Sequence, residues 1–217
     1  MYKKIPNKRL TDIKFKQLID EWIFMTPARI CAKKININRN TVNLWYKKIR
    51  EAIIKLPEPE KFSGIVEVDE SYFGQKRPGM TGTGPTDKVA VFGIRERDSG
   101  RVWCTVTEGT SHEYLIPLIQ WRVEKNSTIY TDGFGAYYHL NKFGYTHKIV
   151  LHSHKEYVRG IVHTNGIESF WSFAKKFINS KNGLPRKEYQ KYIKEAEFRF
   201  NNRDISRMRL LVRKLLR

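Results

Sequence analysis

The chain has 217 residues, enough for one fair-sized domain and a small one. It carries 41 Lys and Arg against 22 Asp and Glu, a formal charge of +19, with 40% apolar residues. A core can form, but so basic a chain repels itself and calls for a polyanionic partner. A membrane span is not expected, since no apolar run reaches the roughly 20 residues a spanning helix needs. The opening MYKKIPNKRL lacks the apolar segment of a signal peptide. Cys31 and Cys104 lie far apart with no CxxC, so they read as buried reduced thiols and give no zinc site.

Residues 10–25 place Phe15, Leu18, Ile19, Trp22 and Ile23 at the spacings of one helical face. Thr26-Pro27 opens a short second helix, as cap and first position, running to about Ile35. Residues 36–40 are turn-like. A third helix is predicted from near Thr41, with Val42, Trp45, Ile49 and Ile53 inward. Helix, short helix, tight turn and helix is the order of a helix-turn-helix, here over residues 1–56. Its third helix would enter the major groove by its N-terminal end. Asn38, Arg39, Asn40, Thr41, Asn43 and Lys47 would then face DNA, and Asn and Arg pair bidentately with adenine and guanine edges. A three-helix packing unit with a solvated basic face is the alternative. Residues 57–63 begin with two prolines among acids and read as a linker.

Past the linker the period changes. Residues 64–73 are β-branched and aromatic, a strand with Glu67, Asp69 and Ser71 on one face and Val66, Val68 and Glu70 on the other. Residues 74–88 are rich in Gly, Pro and Thr and suggest a loop, either a plain connection or a basic loop touching nucleic acid. Residues 88–95 and 101–107 read as a hairpin turning at Asp98-Ser99-Gly100. A helix holding Tyr114, Leu115, Leu118, Ile119 and Arg122 follows, capped by Ser111. Then comes a short strand, 127–132, that ends in Asp132, and a further one at 148–150. His147, His152, His154 and His163 match no zinc spacing and are expected to be solvated or to face DNA. From residue 165 Ile167, Phe170, Trp171, Ala174 and Ile178 make one buried stripe, with Glu168 beside it. The C-terminal part is helical and basic, and could cover the core, bind DNA or pair with a second subunit.

Three acids stand out: Asp69 in mid-strand, Asp132 at a strand end and Glu168 on a helix. The element order matches the ribonuclease H-like layout, an α/β fold with a mixed sheet flanked by helices. In it the first and fourth strands are neighbours, which would bring Asp69 beside Asp132, with the helix of Glu168 across them. Hard divalent ions take such oxygen ligands. Two ions about 4 Å apart clamp an in-line displacement at phosphorus. A nucleic-acid phosphodiester is the substrate that fits the charge.

The motifs Val66-Glu67-Val68-Asp69-Glu70-Ser71-Tyr72-Phe73-Gly74, Thr131-Asp132-Gly133, His163-Thr164-Asn165-Gly166-Ile167-Glu168-Ser169-Phe170-Trp171 and Arg199-Phe200-Asn201-Asn202-Arg203 occur in that order. Residues 64–203 thereby resemble the DDE transposases of bacterial insertion sequences, in their ISXO2-like branch. Thirty-five residues separate Asp132 from Glu168, a spacing found in many such enzymes. The resemblance implies a catalytic domain over 64–217, including the basic C-terminal helices. It implies Asp69, Asp132 and Glu168 as catalytic metal ligands for two Mg²⁺ ions, with Mn²⁺ able to substitute. Asn165, one helical turn before Glu168, is a second candidate for the third ligand. Lys175, Arg199 and Arg203 would join the DNA contacts. Some relatives carry a zinc ribbon ahead of the helix-turn-helix, and this chain has no cysteines for one. The implied activity is cleavage at the element's terminal inverted repeats and joining of the 3′-hydroxyl ends to target DNA. The partners would be double-stranded DNA and further copies of the chain, as a dimer or larger assembly, in the bacterial cytoplasm at the nucleoid. A ribonuclease H-like nuclease without strand transfer and a catalytically silent DNA-binding regulator are the other readings.

Overall fold

The computed structural model describes residues 10–74, 88–150, 164–181 and 183–216. Nearly all of the loop expected at 74–88, and His152, His154 and His163, lie outside the described residues. In chain order the elements are α1 (Asp12–Ile23), α2 (Ala28–Lys34), α3 (Arg39–Ile54), β1 (Ile65–Phe73), β2 (Val89–Glu96), β3 (Val102–Thr107), α4 (His112–Arg122), β4 (Thr128–Thr131), β5 (Thr146–Ile149), α5 (Asn165–Asn179), α6 (Tyr189–Asn201) and α7 (Ile205–Leu215). They form two compact units, Met1–Pro57 with Asn202–Arg217, and Glu58–Asn201.

The first unit is helical. Thr11 caps α1, accepting the Lys14 N–H, and Phe15, Leu18, Ile19, Trp22 and Ile23 are all buried. Asn36, at a φ of 50°, turns the chain after α2. The third helix starts at Arg39, earlier than its apolar pattern predicts, because the Asn38 side chain accepts the Asn40 N–H at 2.7 Å. Asn38 is therefore occupied as a cap. The tail behaves differently from the expectation that grouped it with residues 64–217. The apolar stripe of α7, Met208 and Val212, is buried where α7 packs on α1 and α3, and Arg209 Nε donates to Asp20 at 2.6 Å. Both cysteines are free and buried, Cys31 here and Cys104 in the sheet.

The second unit is built on a five-stranded sheet of order β3-β2-β1-β4-β5. The pairs β1–β2 and β2–β3 are antiparallel, while β1–β4 and β4–β5 are parallel. Val66, Val68, Phe92, Ile94 and Ile129 face one way and pack with Leu115, Ile116 and Ile119 of α4. Val89, Val91, Val102 and Cys104 face the other way and pack with α5 and α6 through Ile167, Phe170, Trp171, Ile193 and Ala196. The sheet is thus covered on both faces, as helix crossovers require. Residues 58–63 are packed against this unit, unlike an open linker. Phe62 is fully buried and exchanges backbone bonds with Arg122 and Glu124, and Glu58 accepts the Trp103 indole N–H at 2.7 Å.

One edge of the sheet is closed by side chains. The outward N–H groups of Val102, Cys104 and Val106 on β3 donate to Asn201, Glu197 and Gln190 at 2.8–2.9 Å, and Asn201 returns an N–H to the Val102 carbonyl. A row of unpaired edge amides, the template for sheet-to-sheet aggregation, is satisfied by the helix lying beside it. Among the described residues no helix is long and apolar enough to cross a membrane.

Candidate active site

The β1–β4 pairing sets the site. Ile65 lies beside Thr128, Val66 beside Ile129 and Glu67 beside Tyr130. The pairing ends there; carried on two residues, the same alignment leads from Asp69 to Asp132, the first residue after β4, and the Asp132 charge reaches the Asp69 carboxyl. Asp132 is half-buried, and its Oδ1 accepts the Phe134 N–H at 3.0 Å, which turns the chain away from the sheet. Glu168 sits in the first turn of α5, exposed, with Thr164 Oγ1 donating to its Oε1 at 3.4 Å. Asn165 opens the same helix and is also exposed.

The acids act on one another. Burial raises the Asp69 carboxyl to about 6; the Trp171 hydrogen bond opposes this, and the charges of Asp132 and then Glu168 raise it further. Glu70, on the opposite face of the strand, is raised to about 7, first by burial. The Tyr137 hydroxyl donates to its Oε2, which lowers it, and the nearby Asp69 and Asp132 raise it. A buried carboxyl that also faces other carboxylates carries an electrostatic cost that a divalent cation would relieve. Among the described residues no three His, Cys, Asp or Glu side chains stand close enough to enclose one ion. The donor set fits Mg²⁺ in its usual manner, one or two carboxylates completed by substrate phosphate and water, rather than as a closed protein cage.

Two features fasten α5 across β1, and the sequence reading had assigned neither. Glu67, fully buried, accepts the Ile167 N–H at 2.8 Å, Arg97 Nε at 2.9 Å and Arg95 at 3.4 Å. It holds the N-terminus of α5, where a carboxylate also meets the positive end of the helix dipole. A Cβ on Gly166 would stand 2.0 Å from Arg95 Nη1 and 2.7 Å from Glu67 Oε2, so any side chain there would push the Arg95–Glu67 pair aside. The second feature is Trp171, whose indole N–H donates to Asp69 Oδ2 at 2.9 Å. Strand alternation had placed Glu67 and Asp69 on one face. Arg95 near the end of the next strand and Arg97 just past it were the sign that Glu67 is an anchor, and a glycine inside a strand, Gly93, was the sign of a close approach.

The remaining predicted residues divide. Arg39, Asn40, Asn43, Lys47, Lys175 and Arg203 are exposed and Thr41 is partly so. Lys47 also pairs with Glu51 at 3.7 Å. Arg199 does not fit a DNA contact: it is buried and bound to Glu195 through Nε at 2.9 Å and Nη2 at 2.8 Å. Its place in a basic motif concealed a core ion pair one turn apart. His147 is part-buried, its Nε2 2.8 Å from Thr131 Oγ1, rather than solvated, and burial lowers its pKa.

A five-stranded mixed sheet of this order, covered by helices on both faces, has the ribonuclease H-like layout. The ISXO2-like transposase domain matches residues 61–201, and the chain belongs to that family. A transposase-like protein of Haemophilus influenzae is 31% identical over 117 residues, covering 54% of this chain and 94% of its own length. A protein in the transposable element ISH50 of Halobacterium salinarum is 28% identical over 191 residues, 80% of this chain and 64% of that one. Among solved structures, the HTLV-2 integrase catalytic core with magnesium is similar at a TM-score of 0.44 and 12% identity, over 67% of this chain and 89% of that one. The BIV integrase catalytic core gives 0.42 and 11%, over 63% and 82%.

Proposed function

We propose that the chain is a DNA transposase that cleaves phosphodiester bonds at the ends of its element and joins the freed 3′-hydroxyls to target DNA. The observation that carries this reading is the β1–β4 alignment that leads from Asp69 to Asp132, in a domain of a transposase family. Asp69 and Asp132 would hold Mg²⁺, with Glu168 completing the set and Asn165 as the alternative donor one turn away. Bound there, the cation supplies charge neutralisation and polarisation at phosphorus for an in-line displacement. Partial burial of Asp69 lessens solvent screening of its charge. Glu67 and Trp171 hold α5 and Asp69 in place. Cleavage and joining are both in-line displacements, so one set of side chains serves both.

The helical unit is proposed as the end-binding domain, a helix-turn-helix reading DNA through Arg39, Asn40, Thr41, Asn43 and Lys47, with Lys175 and Arg203 on phosphates. The charge of +19 supports a polyanionic partner. Two DNA ends handled together call for a dimer or larger assembly. The test is cleavage of DNA carrying the element's ends in Mg²⁺. The native chain should cut at the ends, and Asp132→Asn should not. An uncut substrate with the native chain, or full cutting by Asp132→Asn, would overturn the reading.

A further inference from the structure

We propose that Trp171 is a positioning residue for Asp69, its indole N–H holding carboxylate oxygen Oδ2 so that Oδ1 is the oxygen offered to a divalent cation. The inference rests on the reading of Asp69 as a metal ligand and adds the residue that aims it. Four observations converge on it. The Nε1–Oδ2 distance is 2.9 Å. Gly93 is the cross-strand partner of Asp69, and a Cβ there would stand 2.6 and 2.7 Å from Cζ2 and Cη2 of the indole. The ring therefore lies in the space that the absent side chain leaves over the strand, directly beside Asp69. It is 4% exposed and set edge-on to Phe73, with centroids 6.0 Å apart, and tilted against Phe170 at 5.0 Å. Finally, the start of α5 is tied to β1 by the Ile167 N–H bound to Glu67.

The chemistry follows from these contacts. A carboxylate rotates broadly about its last torsion unless something holds it. An indole N–H only donates, and a buried tryptophan is placed where that donor is satisfied. Here it is satisfied by one oxygen of the acid that the site needs in a fixed orientation. Partners that orient metal-binding side chains in this way typically contribute about 10–100-fold in metal affinity. A tryptophan that served only as core would lose nothing of that kind when replaced by phenylalanine.

The test is Mn²⁺ binding to the full chain, read from the electron paramagnetic resonance of the free ion. Trp171→Phe keeps an apolar ring and removes the donor, and Gly93→Ala displaces the ring while leaving the donor in the sequence. Both should weaken the Asp69-dependent site by about 10–100-fold. Native affinity in a folded Trp171→Phe chain would overturn the proposal. If Asp69→Asn binds Mn²⁺ as the native chain does, the metal reading itself fails and this inference falls with it, a result distinct from the first. A second measurement needs no variant to fold. With ¹⁵N on the five tryptophans, saturating Mg²⁺ should shift one indole N–H resonance. Mg²⁺ binding that leaves all five unmoved would equally overturn it.

Discussion

Asp69 on β1 lies near Asp132, the residue that follows β4, and after burial the charge of Asp132 is the largest influence raising the pKa of Asp69. The proximity is costly to the folded chain, and on the proposed reading a divalent cation would relieve it. Proteins retain such repulsion where function requires it.

The first prediction concerns stability and pH without metal. Asp69 is raised from 3.8 to about 6, so the folded chain binds its proton more tightly than the unfolded chain does. Stability from this group is present below about pH 4 and is lost as pH rises through 6. The loss is about 2–3 kcal/mol, allowing for the partial exposure of the carboxyl. Asp69→Asn should therefore melt roughly 5 °C above the native chain at pH 7.5, and together with it at pH 4. Scanning calorimetry at the two pH values reads the difference; a variant that melts lower at pH 7.5 would count against the strain.

The Glu67 anchor makes a second prediction. Glu67→Ala leaves Arg95 and Arg97 without their carboxylate and Ile167 without its acceptor. Breaking a buried pair costs about 3–5 kcal/mol, and the partial exposure of the arginines puts this one near 3. Gly166→Ala should act in the same direction through the 2.0 Å clash. Urea unfolding measures both, and a loss under about 1 kcal/mol would show that the anchor contributes little.

A third prediction separates structure from DNA contact in the Arg199–Arg203 motif. Arg199 is bound to Glu195, and Asn201 makes two bonds to Val102. Asn201→Ala should destabilise the chain by about 1–3 kcal/mol and promote aggregation through the bared β3 edge. Neither Arg199→Ala nor Asn201→Ala should change DNA affinity at a temperature where the variant is folded. A selective loss of affinity would contradict the assignment.

The helical unit supplies a fourth. Lys47→Ala should weaken binding alike on all sequences and lower the slope of log K against log salt by about 0.9. Asn43→Ala should instead relax base preference at one position, by about 1–3 kcal/mol. Fluorescence anisotropy across a salt series distinguishes the two. An unchanged slope for Lys47→Ala would remove it from the phosphate contacts.

Much of this is legible in the sequence. The apolar spacing of Phe15, Leu18, Ile19, Trp22 and Ile23 gave α1, and the alternation around Asp69 correctly separated its two faces. The order of strands along the chain predicts a ribonuclease H-like sheet with β1 and β4 side by side, as observed. What escaped notice depends on partners distant in sequence. Arg199 looked like a surface cation because its basic motif does not reveal that Glu195 lies buried beneath it. Trp171 looked like core because an apolar stripe says nothing of where an indole N–H points. The tail looked continuous with the catalytic domain because its own stripe does not name the helices that cover it. Asn38 was assigned to DNA because a cap and a base contact use the same amide.

The central claim is that one carboxylate site both cuts and joins DNA. The most direct measurement is strand transfer with pre-cut ends in Mg²⁺, which bypasses cleavage and asks only for joining. The native chain should yield joined product, and Asp69→Asn, still binding the ends, should yield none. Joining by Asp69→Asn, or a native chain that nicks DNA without ever joining it, would contradict the account.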